Sequence, residues 1–356
     1  MDKRKPIRVG ILGSGSILEA HVRGLLAAGD RCRVVAVTAR HPDAVDRVRK
    51  LLGPGVAICG EYEEVIQRSD VDAVDILLPH DLHLPATLAA AKAGRHVLVE
   101  KVMACNTDEC DRMIAACKAA GVSLGVCHDR RYHPHWIALK KILDAGLLGE
   151  IHYWKMEHNQ DLMLPENLWC RSKKRLGGGA IMSCLSHQLD ALRWYAGEAA
   201  AVTCMTKVVP ERMEGETIGA VLLRMKSGAL AQCTINWMTR ADCSPCELVH
   251  IVGDRGEAYY WLGKGSYAML RENSGRLAPF AEGGLVRDGV FSKLTADSIT
   301  AHEGCVMAWL KLLRGEPVEF TTTGEDSRQT VALAEAAYYA ADHGLTVNLP
   351  LEKGNQ

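Results

Sequence analysis

Apolar residues in the first third of the chain come in short unbroken runs, with polar residues gathered between them. The runs are "IRVGIL" (7–12), "RVVAVTAR" (33–40), "DAVDILLP" (72–79), "HVLVEK" (96–101) and "VSLGVC" (122–127). Runs of this length, rich in valine and closed by turn residues, predict strands buried on both faces, as in a parallel sheet. Between them, "ILEAHVRGLLAAG", "LPATLAAAKAG" and "DECDRMIAACKAAG" place apolar residues at helical spacing and end in glycine, which predicts helices with a glycine C-cap. Alternating strand and helix predict a doubly wound α/β domain whose ligand lies at the carboxyl ends of the strands.

Further on the pattern changes. "IHYWKMEH", "AVTCMTKVV", "GAVLLRM" and "ALAQCTINWM" alternate or run apolar, carry β-branched and aromatic residues, and are separated by turn signals such as "KSG" and "DRG". A chain of 356 residues exceeds one compact core. Two domains are expected, 1–127 and 128–356.

The first strand runs into "GSGS" and then a helix, the context that gives a glycine motif its meaning. Gly13 permits the tight turn and Gly15 a close backbone approach, so Gly13, Ser14, Gly15, Ser16 and Ile17 form a candidate pyrophosphate cradle at a helix N-terminus. Leu18 stands where a third glycine is usual. At the end of the second strand Thr38 and Arg40 occur with no acid, which leans toward NADP and leaves NAD open. Pro79, His80 and His83 after the third run, and Glu100 and Lys101 after the fourth, lie at the same carboxyl edge and are candidate cofactor contacts.

Composition narrows the field. Apolar residues make up 48% and charged residues 24%, the balance of an ordinary soluble globular protein. With 42 basic and 43 acidic residues the net charge is −1, which gives no electrostatic footprint for nucleic acid. No run is long enough to span a membrane and the basic start lacks the form of a signal peptide, so a cytoplasmic protein is expected. The 13 cysteines, scattered and odd in number, suit reduced thiols. Cys243 and Cys246 have CxxC spacing with no second ligand pair near them, so no metal is expected.

At "GGGAIMSCLSHQLD" (177–190) three glycines precede an apolar segment in which Ser183, His187 and Asp190 fall at i, i+4 and i+7. Regular helical spacing puts them on one face and Ile181, Leu185, Leu189 and Leu192 on another. The glycines are expected to let a ligand or another chain approach closely.

Taken in order, "VGILGSGS" with Ala20 and His21, "LLPHDLH", "AGRHVLVEK", "RRYHP", "GLLGEIHYW", "GGGAIMSCLSHQLDALRW", "IVGDRGEAYYW" and "AEAAYYAADHGLTVNLP" resemble the glucose-fructose oxidoreductase, inositol dehydrogenase and rhizopine catabolism (Gfo/Idh/MocA) family of sugar dehydrogenases. The resemblance implies a Rossmann domain followed by an α/β domain with a large open mixed, mostly antiparallel sheet that forms a homo-oligomer interface. It also implies that Lys101 assists at the substrate hydroxyl and that His187 accepts the proton, roles that suit a cation beside a developing alkoxide and a base near neutral pH. This chain departs from the family by Ser183 in place of an aspartate and by Val102 in place of a proline. Ser183 can orient or relay but supplies no charge; Asp161 and His158 are the candidates to supply what the aspartate does. Arg131, Asp161, Trp169 and Arg171 are candidate substrate contacts, and His302 and Glu303 stand before an apolar helix or equally at its start.

The leading expectation is an NAD(P)-dependent oxidoreductase acting on a secondary hydroxyl of a sugar, a glycoside (glucose C3 among the positions) or a cyclic polyol, with a cofactor that is either retained or exchanged. The competing class is a nucleotide-binding sensor or structural protein without catalysis.

Overall fold

A computed structural model describes residues 5–239, 246–262, 265–271, 277–281, 284–285, 301–319 and 322–351. By its contacts the chain divides into two compact units, Met1–Tyr132 with Thr300–Val331 and His133–Ile299 with Ala332–Gln356.

The first unit holds β1 (Ile7–Leu12), β2 (Cys32–Thr38), β3 (Ala57–Cys59), β4 (Ala73–Ile76), β5 (His96–Glu100) and β6 (Leu124–Cys127). They form one parallel sheet in the order β3-β2-β1-β4-β5-β6, the doubly wound arrangement. Val9, Ile11, Val74, Ile76, Val97 and Val99 are fully buried, which is why the strands read as continuous apolar runs rather than alternating ones. The short β3 has no such run and escaped the sequence pattern.

The sequence reading has the chain leave this domain once, at 127/128, whereas the structure brings residues 300–331 back into it. Helix Ala301–Arg314 lies against helix Leu18–Ala27, and a Cβ on Gly24 would stand 3.0 Å from Val306 Cβ. Val22, Leu25, Val306, Trp309 and Leu310 share one core cluster with β1 and β2. His302 and Glu303 stand in the first turn of this helix, at the helix start that was the second reading of the sequence there.

The second unit contains β7 (Ile151–Asn159), β8 (Ala199–Val208), β9 (Glu216–Met225), β10 (Leu230–Asn236), β11 (Glu247–Gly253), β12 (Gly256–Trp261), β13 (Gly265–Arg271), β14 (Leu277–Ala281), β15 (Gly284–Leu285) and β16 (Val347–Asn348). The sheet order is β15-β14-β13-β12-β11-β7-β10-β9-β8-β16, and only β7 and β10 pair in parallel. Period-2 alternation sets its two faces: in β9, Val221, Leu223 and Met225 are buried while Leu222 is 54% exposed. On the covered side Trp136, Trp154, Tyr195 and Tyr260 pack as an aromatic cluster, and the Tyr195 hydroxyl donates to the Trp136 carbonyl at 2.8 Å.

All cysteines among the described residues are free thiols, most of them buried. Of the CxxC pair, Cys243 lies outside the described residues. No helix among the described residues is long and apolar enough to cross a membrane.

Candidate active site

In the first unit β1 ends in a turn built for close approach. Gly13 has φ +111°, and a Cβ there would stand 2.5 Å from the Leu77 carbonyl oxygen, so no side chain fits. Gly15 has nothing within 4 Å of a built Cβ, which leaves the outer side of the turn open. The following helix, Leu18–Ala27, begins without a side-chain cap at Ile17, and Ser14, Ser16 and Ile17 are half-buried or exposed. At the end of β2 the Thr38 hydroxyl is buried with no hydrogen-bond partner among the described residues. A bare turn, an uncapped helix start and an orphaned hydroxyl beside them suit the phosphates and ribose of a dinucleotide.

Arg40 is exposed, donates from Nε to the Gly60 carbonyl at 3.0 Å and pairs with Glu61. The lean toward NADP rested on an arginine without an acid, but the acid is supplied from 21 positions further on. Arg47 reaches the Ser14 carbonyl, a cation beside the turn that sequence reasoning missed because it sits mid-helix among other charges.

His83 is not at a ligand surface. Its ring is fully buried, with Nδ1 2.9 Å from the Val102 carbonyl and Nε2 2.8 Å from the Leu78 carbonyl, so it brackets two loops at the strand ends. Burial holds its pKa below the usual histidine value. His80 is also buried, its ring 5.5 Å from that of His83, and Pro79 is half-buried at the start of the same turn. Arg131, read as a substrate contact, is buried and pairs with Asp326 at 2.6 Å, which anchors the returning segment. Glu100 closes β5 with its carboxylate 2.8 Å from His21 Nε2. Although burial opposes ionisation, the hydrogen bond and charge of His21 bring Glu100 down to about 2. Lys101 follows it, half-buried, and the Lys101–Val102 peptide is cis.

In the second unit the triple glycine serves packing rather than a ligand. Gly177 ends helix Lys173–Leu176 in the left-handed region. A Cβ on Gly178 would meet the Tyr338 hydroxyl at 2.3 Å, and one on Gly179 would meet Glu216 at 2.4 Å. The Tyr338 oxygen accepts from the N–H groups of Gly179 (3.0 Å) and Met182 (3.1 Å) and donates to Glu216 Oε1 at 2.8 Å. Glu216 Oε1 also accepts from Ile181 N–H at 2.9 Å. Two side chains from distant segments thus take up the first N–H groups of the element that carries His187.

That element opens with a π-turn, Ile181–Leu185, and continues as α-helix Ser186–Ala196. The spacing from Ser183 to His187 thus runs through a π-turn rather than a regular α-helix. Ser183 is half-buried, its Oγ 3.8 Å from Cys184 Sγ. Ile181, Leu185, Leu189 and Leu192 are fully buried as expected, and Asp190 is buried with them. His187 is 9% exposed and lies parallel to His158, ring centroids 6.4 Å apart at 9°. His158 Nδ1 stands 3.5 Å from Glu247 Oε1 and 3.4 Å from Gln188 Nε2. Glu247 is buried at the start of β11. Sequence reasoning missed it because its partner comes from β7 and nothing local marks it.

Asp161 is exposed and paired with Arg212 at 3.0 Å. Trp169 is half-buried on the turn Trp169–Arg171, and Arg171 donates to the carbonyls of Leu164 (3.3 Å) and Glu211 (3.0 Å). Of the two substitutes considered for the absent aspartate, only His158 lies against His187 with a carboxylate behind it.

Comparison with known proteins adds the lineage. Residues 7–128 match the oxidoreductase family model with an NAD-binding Rossmann fold, and residues 136–259 match the Gfo/Idh/MocA C-terminal domain. The chain is 30% identical over 232 residues to a 1,5-anhydro-D-fructose reductase of Ensifer adhaerens, a match covering 63% of this chain and 68% of that protein. Other curated relatives are matched over 47% to 81% of their own length. A levoglucosan dehydrogenase solved with NADH and levoglucosan shares the fold, with TM-score 0.85 at 20% identity over 97% of this chain and 100% of that one. An aldose-aldose oxidoreductase from Caulobacter crescentus superposes with TM-score 0.79 at 26% identity, covering 97% and 100%. With both of its halves matched by the models of one family, this chain belongs to the Gfo/Idh/MocA oxidoreductases and carries their NAD-binding Rossmann fold.

Proposed function

We propose that the protein oxidises a secondary hydroxyl of a sugar, glycoside or cyclic polyol by hydride transfer, glucose C3 being among the positions to test. The observation that carries the reading is His187, held on a buried helix against His158 and its carboxylate neighbour Glu247. Gly13, Ser14, Gly15, Ser16, Ile17 and Thr38 would hold the cofactor, with Arg40 and Glu61 at the ribose end of β2. Bound there, a nicotinamide dinucleotide supplies the hydride acceptor. Lys101 stabilises negative charge on the substrate oxygen, and His187 takes up the hydroxyl proton. His158, with Glu247 behind it, packs parallel to the His187 ring and holds it in place; Ser183 assists at most as a relay.

The aldose-aldose oxidoreductase among the structural relatives favours testing for a retained cofactor that passes hydride from one sugar to another. The open sheet face favours a homo-oligomer: Met205, Leu222 and Leu230 are 76%, 54% and 57% exposed on it, with Tyr259 and Tyr267 stacked at 4.8 Å further along. A cytoplasmic location fits the free thiols.

The test begins with denaturation of the purified protein and mass spectrometry of any released nucleotide. A panel of sugars and polyols follows, with free NAD and NADP and separately with an acceptor sugar. Hydride transfer that disappears in Lys101→Ala and His187→Ala, with nucleotide binding intact, supports the proposal. Glu247→Gln is expected to lower kcat by roughly tenfold, the equivalent of about 1.4 kcal/mol, with KM little changed. Bound nucleotide with no transfer under either regime overturns it in favour of a sensor.

A further inference from the structure

Behind the dinucleotide turn, four side chains that take no part in the proposed proton transfer converge. His21 comes from helix Leu18–Ala27, Glu100 from the end of β5, Cys127 from the end of β6 and His302 from the first turn of helix Ala301–Arg314. Each offers one ligand atom, and the four atoms all lie within 4.8 Å of one another, three of the residues being buried and His302 half-buried.

Two imidazoles, a thiol and a carboxylate make a donor set for tetrahedral zinc, whose bonds of about 2.0–2.3 Å put ligand atoms roughly 3.3–3.8 Å apart. Reaching that spacing draws the widest pairs in by at most about 1 Å and opens the His21–Glu100 pair from 2.8 Å by about 0.5 Å. The surroundings are also those of a metal site. His21 Nδ1 lies 2.9 Å from Asp75 Oδ2, and Asp75 is fully buried with Oδ1 lacking any hydrogen bond among the described residues. A carboxylate behind a histidine fixes the tautomer that leaves the other nitrogen free to ligate. A cation held by His21 Nε2 would take the place of the proton that this nitrogen otherwise shares with Glu100 Oε1, 2.8 Å away. Two acceptors so close require a proton or a cation between them. A second carboxylate stands behind the second imidazole, His302 Nδ1 lying 3.7 Å from Asp129 Oδ2.

We propose that His21, Glu100, Cys127 and His302 bind a divalent zinc-class cation. The ion would tie four segments together below the carboxyl ends of β5 and β6, including the strand end that carries Lys101. Its role is structural, because every ligand comes from the protein and no position is left for substrate.

The experiment is a cobalt(II) titration of the full-length protein after treatment with chelator and dialysis. The expected result is tetrahedral d–d absorption with a thiolate-to-cobalt charge-transfer band, saturating at one ion per chain and reversed by zinc. Cys127→Ser is expected to lose the charge-transfer band, and His302→Gln to weaken binding at least tenfold. Zinc is expected to raise the Tm of the chelator-treated protein, and to raise it less in either variant at the same concentration. Far-UV circular dichroism checks that the variants fold. Absence of the charge-transfer band in the folded parent, even in large cobalt excess, overturns the proposal and assigns the cluster to a proton shared by His21 and its carboxylates. A band that persists in folded Cys127→Ser, or binding unchanged in folded His302→Gln, overturns it equally.

Discussion

Replacing Tyr338 with phenylalanine removes one oxygen and leaves the ring in place. That oxygen, on a half-buried tyrosine, accepts from the N–H groups of buried Gly179 and Met182 and donates to buried Glu216. A typical intramolecular hydrogen bond contributes about 1 kcal/mol net, and a buried donor left without a partner costs ~1–3 kcal/mol. Three bonds lost, two of them orphaning backbone donors, give an expected loss of about 3 kcal/mol, or roughly 150-fold in the folding equilibrium. The ring is retained, so no cavity term adds to this. Urea unfolding at neutral pH, followed by circular dichroism, gives the value from the midpoint with an unchanged slope. Tyr339→Phe, on the same helix and with no hydroxyl hydrogen bond among the described residues, is the control and is expected to change little. Because the lost bonds hold the start of the segment bearing His187, kcat is expected to fall as well. A stability loss below ~0.5 kcal/mol, the range of an ordinary surface substitution, with activity unchanged, refutes this reading of the triple glycine.

Glu216 carries a pH signature. Burial, the largest influence, raises its pKa above the usual carboxyl value despite hydrogen bonds from Ile181 and Tyr338 that favour the charged form. A raised acid contributes stability while it is protonated; the contribution falls as pH rises through the unfolded-state value and is gone above the folded-state one. Glu216→Gln is therefore expected to flatten that decline across mildly acidic pH in urea midpoints, and a slope unaltered from the parent argues against it. Cofactor choice gives a further prediction: Glu61→Gln frees Arg40 from its acid and is expected to shift the NADP-to-NAD affinity ratio toward NADP by about fivefold, given ~1 kcal/mol for an exposed pair. Titration with both nucleotides measures it, and an unmoved ratio means that Arg40 does not meet the 2′-phosphate.

The parallel half was legible because burial on both faces writes itself into the sequence: Val97, Leu98 and Val99 are apolar whichever way they point. The open sheet was legible from alternation, as in β9. The turn at Gly13 could be read because its steric demand is local. Contacts across long separations could not. Glu216 and Tyr338 satisfy N–H groups far from them in sequence, so the glycines they crowd looked like space kept for a ligand. Arg40 lacked an acid only along its own strand, and Glu61 supplies one across a loop. His21, Glu100, Cys127 and His302 show no ligand spacing at all, and only the return of the chain after residue 300 assembles them. Nor could the π-turn at Ser183 be read, since apolar periodicity does not distinguish a single wide turn from a regular one.

That return also governs how the protein can be made. Synthesis runs from the N-terminus at about 5–20 residues per second, so roughly 10–40 s separate the emergence of residue 132 from that of residue 331. During this interval the nascent Rossmann half lacks Val306, Trp309 and Leu310, and the apolar side of helix Leu18–Ala27 that they cover is open to water and to chaperones. A gene fragment stopped near residue 132 repeats that state permanently and should yield aggregates. A fragment that carries residues 300–331 back to the first unit through a short linker should yield a soluble nucleotide-binding domain.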